Sequence, residues 1–69
     1  MTDKSLWRDV YDFYIARLQA LQDADFWPAT WTKAEAIAAR HGGQDSFCAD
    51  LLLAVQVELG REREKNGLD

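Results

Sequence analysis

Two side chains in this sequence could act as a nucleophile and its base: Cys48, the one thiol, and His41, the one imidazole. Cys48 falls in the first turn of a helix expected to begin near residue 46, where free backbone amides lower a thiol's pKa and favour the thiolate. Its neighbours argue the other way. Phe47 and Leu51 flank it on the apolar side of that helix, and a cysteine so placed usually packs as a small hydrophobe. His41 stands in the last turn of the preceding helix, where an imidazole interacts favourably with the free carbonyls. The expectation is a chain that is not an enzyme, with no catalytic residue.

Other chemistries have even less to work with. One His and one Cys cannot supply a zinc ligand set, and Asp23 with Asp25 falls short of a calcium loop, so neither metal nor cofactor is expected. Asp9 and Asp12 form a carboxylate pair on the polar face of the first helix, away from any apolar pocket that would shift a pKa. Gly42-Gly43 lacks the preceding strand and the following lysine of a phosphate loop.

Charge narrows the partners. Twelve acidic residues against eight basic ones give a net charge of −4, which repels phosphate backbones and anionic headgroups. A glycine turn between the second and third helices is compatible with a helix-turn-helix. The first turns of its would-be recognition helix, however, carry Asp45, Ser46 and Asp50, followed by Leu51-Leu52-Leu53, where a reader of bases needs Arg, Lys, Asn or Gln. Nucleic acid is not expected as a partner. Nor is a membrane, because the longest apolar run, Leu51 to Val55, is far short of a bilayer span. Asp3, Arg8, Asp9, Asp12 and Arg17 leave no apolar stretch for a signal peptide, and one cysteine needs no oxidising compartment; a cytoplasmic location is expected.

The elements that position these residues are all helical. Apolar positions recur at three- and four-residue spacing and do not alternate, which predicts an all-α fold with helices over about residues 5–22, 26–41 and 46–65. The first helix is expected to be capped by Asp3 or Ser5 and to bury the stripe Trp7, Val10, Tyr14, Leu18 and Leu21, with Leu6 and Phe13 to one side. Pro28 has no amide to donate, so it can be no later than the third residue of its helix, making Asp25 the earliest sensible cap. The capping-box pattern of Thr32-Lys33-Ala34-Glu35 offers a competing start near Thr32. The earlier start is preferred because it gives Trp27 and Trp31 a common inward face with Ala34, Ile37, Ala38 and His41. Gly42 suits the end of that helix, and Asp45 or Ser46 the start of the next.

On the third helix Phe47, Cys48, Leu51, Leu52, Ala54, Val55 and Leu59 span roughly 160° of the helical wheel, and Leu53 and Val57 lie outside that arc. Gly60 weakens its last turns by up to about 1 kcal/mol relative to alanine. The charged run from Arg61 to Lys65 reads as a solvated extension prone to fray. Short connections make consecutive helices antiparallel, giving one small domain folded as an up-down-up three-helix bundle. Sixty-nine residues is near the lower limit for folding alone. A core of this size rarely yields more than about 3–5 kcal/mol, which makes self-association a natural expectation.

The spacing Phe47-Cys48-x-Asp50-Leu51-x-x-Ala54-Val55-x-x-Glu58-Leu59, with Phe26-Trp27, Trp7 and Phe13-Tyr14, resembles a group of short helical proteins encoded in bacterial mobile elements such as conjugative transposons and prophages. Pro28 and Gly60 depart from it. The resemblance implies a bacterial cytoplasm and an accessory role, and carries no activity, cofactor or site residue.

Function is thus expected from apolar side chains that the core does not use. Leu53 and Val57 are the first candidates for a protein interface, with Leu6 and Phe13 second, and the partner is a protein or a second copy of this chain. The alternative is a small acidic inhibitor of a basic host protein, presenting Asp9 and Asp12 with Glu62 and Glu64.

Overall fold

A proline tolerated only in a helix's first turn fixes where the second helix starts, and that helix does begin at Phe26. The computed structural model describes residues 4–41 and 46–68. It contains α1 (Lys4–Leu18), α2 (Phe26–Arg40) and α3 (Ser46–Lys65). The start near Thr32 is excluded; the Thr32 hydroxyl instead donates back to the Pro28 carbonyl at 3.0 Å. Asp25 precedes α2 as expected, although its side chain makes no capping hydrogen bond. The expected caps Asp3 and Asp45 and the turn at Gly42, Gly43 and Gln44 lie outside the described residues.

Contacts between helix ends give the direction of each helix. Asp9 of α1 meets His41 beyond the end of α2, while Arg17 near the end of α1 meets Phe26 and Thr30 at the start of α2. Trp7 and Phe47 bring the starts of α1 and α3 together, and Arg63 of α3 donates to the Leu21 carbonyl just after α1. The result is an up-down-up three-helix bundle.

The faces turned inward on α1 and α2 are not the ones the apolar pattern predicts. On α1 the buried residues are Leu6, Val10, Phe13 and Arg17, so Trp7 is turned out and Tyr14 only half covered. On α2 they are Phe26, Thr30 and Ala34, so Trp31 is exposed and Trp27 half-buried. The two rotated faces meet in one buried polar contact. Arg17 Nε donates to Thr30 Oγ1 at 3.0 Å, and the Thr30 hydroxyl donates to the Phe26 carbonyl at 2.6 Å. A polar pair that satisfies itself can be buried, and here it takes up inward positions on both helices.

The apolar core joins Leu6, Val10 and Phe13 of α1 to Ala34 of α2 and to Cys48 and Leu52 of α3. Towards the other end, Leu59 and Phe26 are fully enclosed. The guanidinium carbons of Arg17 and Arg63 each lie 4.9 Å from the centre of the Phe26 ring, an arrangement that attracts cations to the π face.

One boundary differs from expectation. The first helix stops at Leu18 and not near Gln22; the chain continues in tight turns, with Ala20 N to Arg17 O and Asp23 N to Ala20 O both at 3.0 Å. The bond from Arg63 holds the Leu21 carbonyl within this turn segment. The third helix ends at Lys65 as expected, and the charged run after Gly60 is part of it. It remains helical to Lys65, Arg63 is half-buried over Phe26, and the helix closes with Leu68 N to Arg63 O at 2.9 Å and Gly67 N to Glu64 O at 3.0 Å. With Gly67 at φ +70° this is a Schellman ending, in which a glycine takes the left-handed turn.

Candidate interaction surface

Because α1 buries Leu6 and Phe13 at 2% and 5% exposure, these two candidates for an interface belong to the core. They lie on the side of α1 that the apolar pattern assigned to its flank, and the rotation described above carries them inward. Leu53 and Val57 stand 62% and 47% exposed on α3.

The geometry of α3 explains why. Its buried positions Cys48, Leu52 and Leu59 fall within about 40° of one another at 100° per residue, and α1 and α2 close over that side. Neither α1 nor α2 covers the opposite side. There Leu53, Ala54 and Val57 form an apolar strip with Asp50 at one end and Arg61 at the other. Ala54 also lines an open groove between α1 and α3, walled by Trp7, Val10, Tyr11, Tyr14, Leu51 and Val55. The strip and the groove therefore share an edge. Trp7 is braced there by an edge-to-face contact with Phe47, ring centres 5.6 Å apart. On the α2 side, Trp27 and Trp31 stack at 6.3 Å, and a Cβ at Gly60 would stand 3.9 Å from the Trp27 ring, an ordinary contact distance.

Trp7 and Trp31, expected on the inward stripes of their helices, are exposed. The signal that could have found Trp31 was Thr30, which shares a four-residue ladder with Phe26 and Ala34 and so competes with the tryptophan face.

Polar clusters lie elsewhere. Asp9 is not a solvated carboxylate but a cross-link between α1 and α2: its Oδ2 is 2.8 Å from His41 Nε2 and 3.0 Å from Arg40 Nη1. The His41 hydrogen bond is the largest cause holding the Asp9 carboxyl below its ordinary pKa; burial opposes it, and the hydrogen bond and charge of Arg40 reinforce it. An ionised carboxylate only accepts, so His41 Nε2 carries the hydrogen.

A folded-state pKa below the unfolded value, about 3.9, means the ionised contact stabilises fully above that value and is lost as pH falls through the folded pKa. The stability of the wild type is therefore expected to fall more steeply below about pH 4 than that of Asp9→Asn. Urea unfolding between pH 5 and pH 2 measures this, and parallel curves would contradict it.

The acidic face of an inhibitor is correspondingly divided. Asp9 is engaged by Arg40 and His41, and Glu62 by Lys65 at 3.4 Å. Arg61 reaches Glu58 at 3.2 Å. Cys48 is enclosed with Leu6, Phe13 and Leu52, while the His41 ring nitrogen is turned to Asp9, so these two residues are engaged separately. Among the described residues no group of three His, Cys, Asp or Glu side chains converges as a metal site, and no helix is long and apolar enough to cross a membrane.

No known family model matches this chain, and no curated protein or solved structure matches it either.

Proposed function

We propose that this chain is a non-enzymatic interaction module that associates with a second copy of itself through the outer face of α3. The observation that carries the proposal is the exposure of Leu53 and Val57, one turn apart, on the side of α3 that neither α1 nor α2 covers. Fully burying a leucine or valine contributes roughly 1.5–3 kcal/mol, and a two-fold pairing counts each residue twice. A small bundle with an aromatic-rich rim and a thin core gains stability from such a contact. An accessory role in the bacterial cytoplasm, as the resemblance to mobile-element proteins implies, is in keeping with a small module of this kind.

Sedimentation velocity over a wide concentration range tests it. The wild type is expected to pass from monomer to dimer, with Leu53→Glu raising the dissociation constant by about 100-fold or more, since a carboxylate would have to be buried twice. Helicity of the variant should be unchanged because Leu53 lies outside the core. A wild type that stays monomeric near 1 mM (about the weakest association worth calling specific) and is indifferent to the substitution overturns the proposal.

A further inference from the structure

The strip on α3 has a symmetry that specifies how two copies would meet. Asp50 and Arg61 are eleven residues apart, which is three turns to within about 20° at 100° per residue, so the opposite charges lie on one meridian about 16.5 Å apart. Leu53, Ala54 and Val57 lie between them. The midpoint of the charged pair falls between Val55 and Gln56, close to the midpoint of Leu53 and Val57.

We infer that α3 pairs with α3 of a second copy in antiparallel fashion, about a two-fold axis beside residues 55 and 56, with Asp50 of each protomer facing Arg61 of the other. The inference rests on the α3 association proposed above and adds its orientation and register. A two-fold axis perpendicular to both helices sends position 50 to position 61 and leaves each lateral side of the strip on the same side. Val57 then falls at the height of the partner copy's Ala54, with Leu53 about 1.5 Å from the height of the partner copy's Val57, and the apolar centre closes between two ion pairs. Parallel pairing sets Asp50 against Asp50 and Arg61 against Arg61, where like charges repel.

Both charged groups are available for this. Asp50 is exposed and enters no ion pair or hydrogen bond among the described residues. Arg61 is bonded to Glu58 on its own helix, with its side chain 67% exposed, and the five N–H donors of a guanidinium allow it to hold Glu58 and an incoming carboxylate together. Opposite charges at the two ends of an apolar strip fit a second copy of this same strip better than a partner of uniform charge.

Charge reversal tests the register. Asp50→Arg alone faces Arg61 with arginine, and Arg61→Asp alone faces Asp50 with aspartate, so each is expected to associate at least about tenfold more weakly than the wild type. Mixing the two single variants restores both pairs, and a heterodimer of wild-type strength is expected by sedimentation or native mass spectrometry. The double variant should dimerise with itself but not with the wild type. Recovery on mixing cannot come from repair of a misfolded variant, which keeps the test independent of folding.

Single variants that dimerise as well as the wild type, or a mixture that fails to recover, overturn the antiparallel register. If Leu53→Glu abolishes a wild-type dimer that charge reversal leaves untouched, the α3 surface stands and only this pairing falls. A monomeric wild type removes both.

Discussion

Replacing Phe26 with alanine is expected to leave a large fraction of the chain unfolded at 25 °C. Phe26 is only 1% exposed and is among the largest enclosed side chains. It meets the Trp27 ring edge-to-face at 4.9 Å, and the guanidinium groups of Arg17 and Arg63 stand over its π system. Truncating a buried phenylalanine costs about 3–5 kcal/mol, which is as much as the entire stability expected of a core this small. The loss also leaves two cations without their aromatic neighbour, each contact contributing about 0.5–2 kcal/mol depending on its burial. Urea titration followed by helicity measures this. Phe26→Leu keeps most of the apolar volume and removes the π face, so it should fold but be less stable than the wild type by about 1–3 kcal/mol. Equal stability of Phe26→Leu and wild type would mean that the arginines contribute nothing through the ring.

The helices were legible because their signals are local. Pro28, by its missing amide, set Asp25 as the earliest cap of α2, which is where the helix starts, and Gly67 closes α3 because its backbone takes a left-handed turn. The sides of α1 and α2 that face inward were not legible, because they are decided between helices. Judged singly, Arg17 reads as solvent-facing and Trp31 as core. In the fold, Arg17 and Thr30 satisfy one another thirteen residues apart and are buried, while Trp31 is exposed. The end of α1 has the same origin: no proline or glycine marks Leu18, and the turn that follows includes a carbonyl held by Arg63, forty-two residues away.

The candidate surface was half legible for a related reason. Leu53 and Val57 fall outside any arc that two neighbouring helices can cover, and a wheel for α3 suffices to see it. Leu6 and Phe13 required knowing how α1 is rotated. Their burial and the exposure of Trp7 and Tyr11 are one event, since turning Leu6, Val10 and Phe13 inward brings the neighbouring aromatic positions to the edge of the α3 strip. A polar contact buried at one end of the bundle thus accompanies an apolar surface displayed along its side.

Arg17 provides the second large effect and separates packing from charge. Its side chain is 5% exposed, and it forms no ion pair with a carboxylate among the described residues; its guanidinium donates to Thr30 Oγ1 at 3.0 Å and to the Phe26 carbonyl at 3.4 Å. Arg17→Ala removes a long alkyl stem as well as the charge and is expected to cost about 2–4 kcal/mol. Arg17→Met keeps much of the stem and abolishes a charge that is expensive to bury, and the Thr30 hydroxyl still has the Phe26 carbonyl to donate to. Its stability is expected within about 1 kcal/mol of the wild type, as when a buried ion is replaced by an apolar side chain of similar volume. Arg17→Lys keeps the charge as a compact, strongly hydrated ammonium that cannot span both oxygens or stack on the ring, and should fall about 1–3 kcal/mol below the wild type. The expected order is therefore methionine above lysine above alanine in urea titrations at fixed pH. A lysine variant more stable than the methionine one would show that water reaches the group and that its charge, not its packed stem, is what the bundle requires.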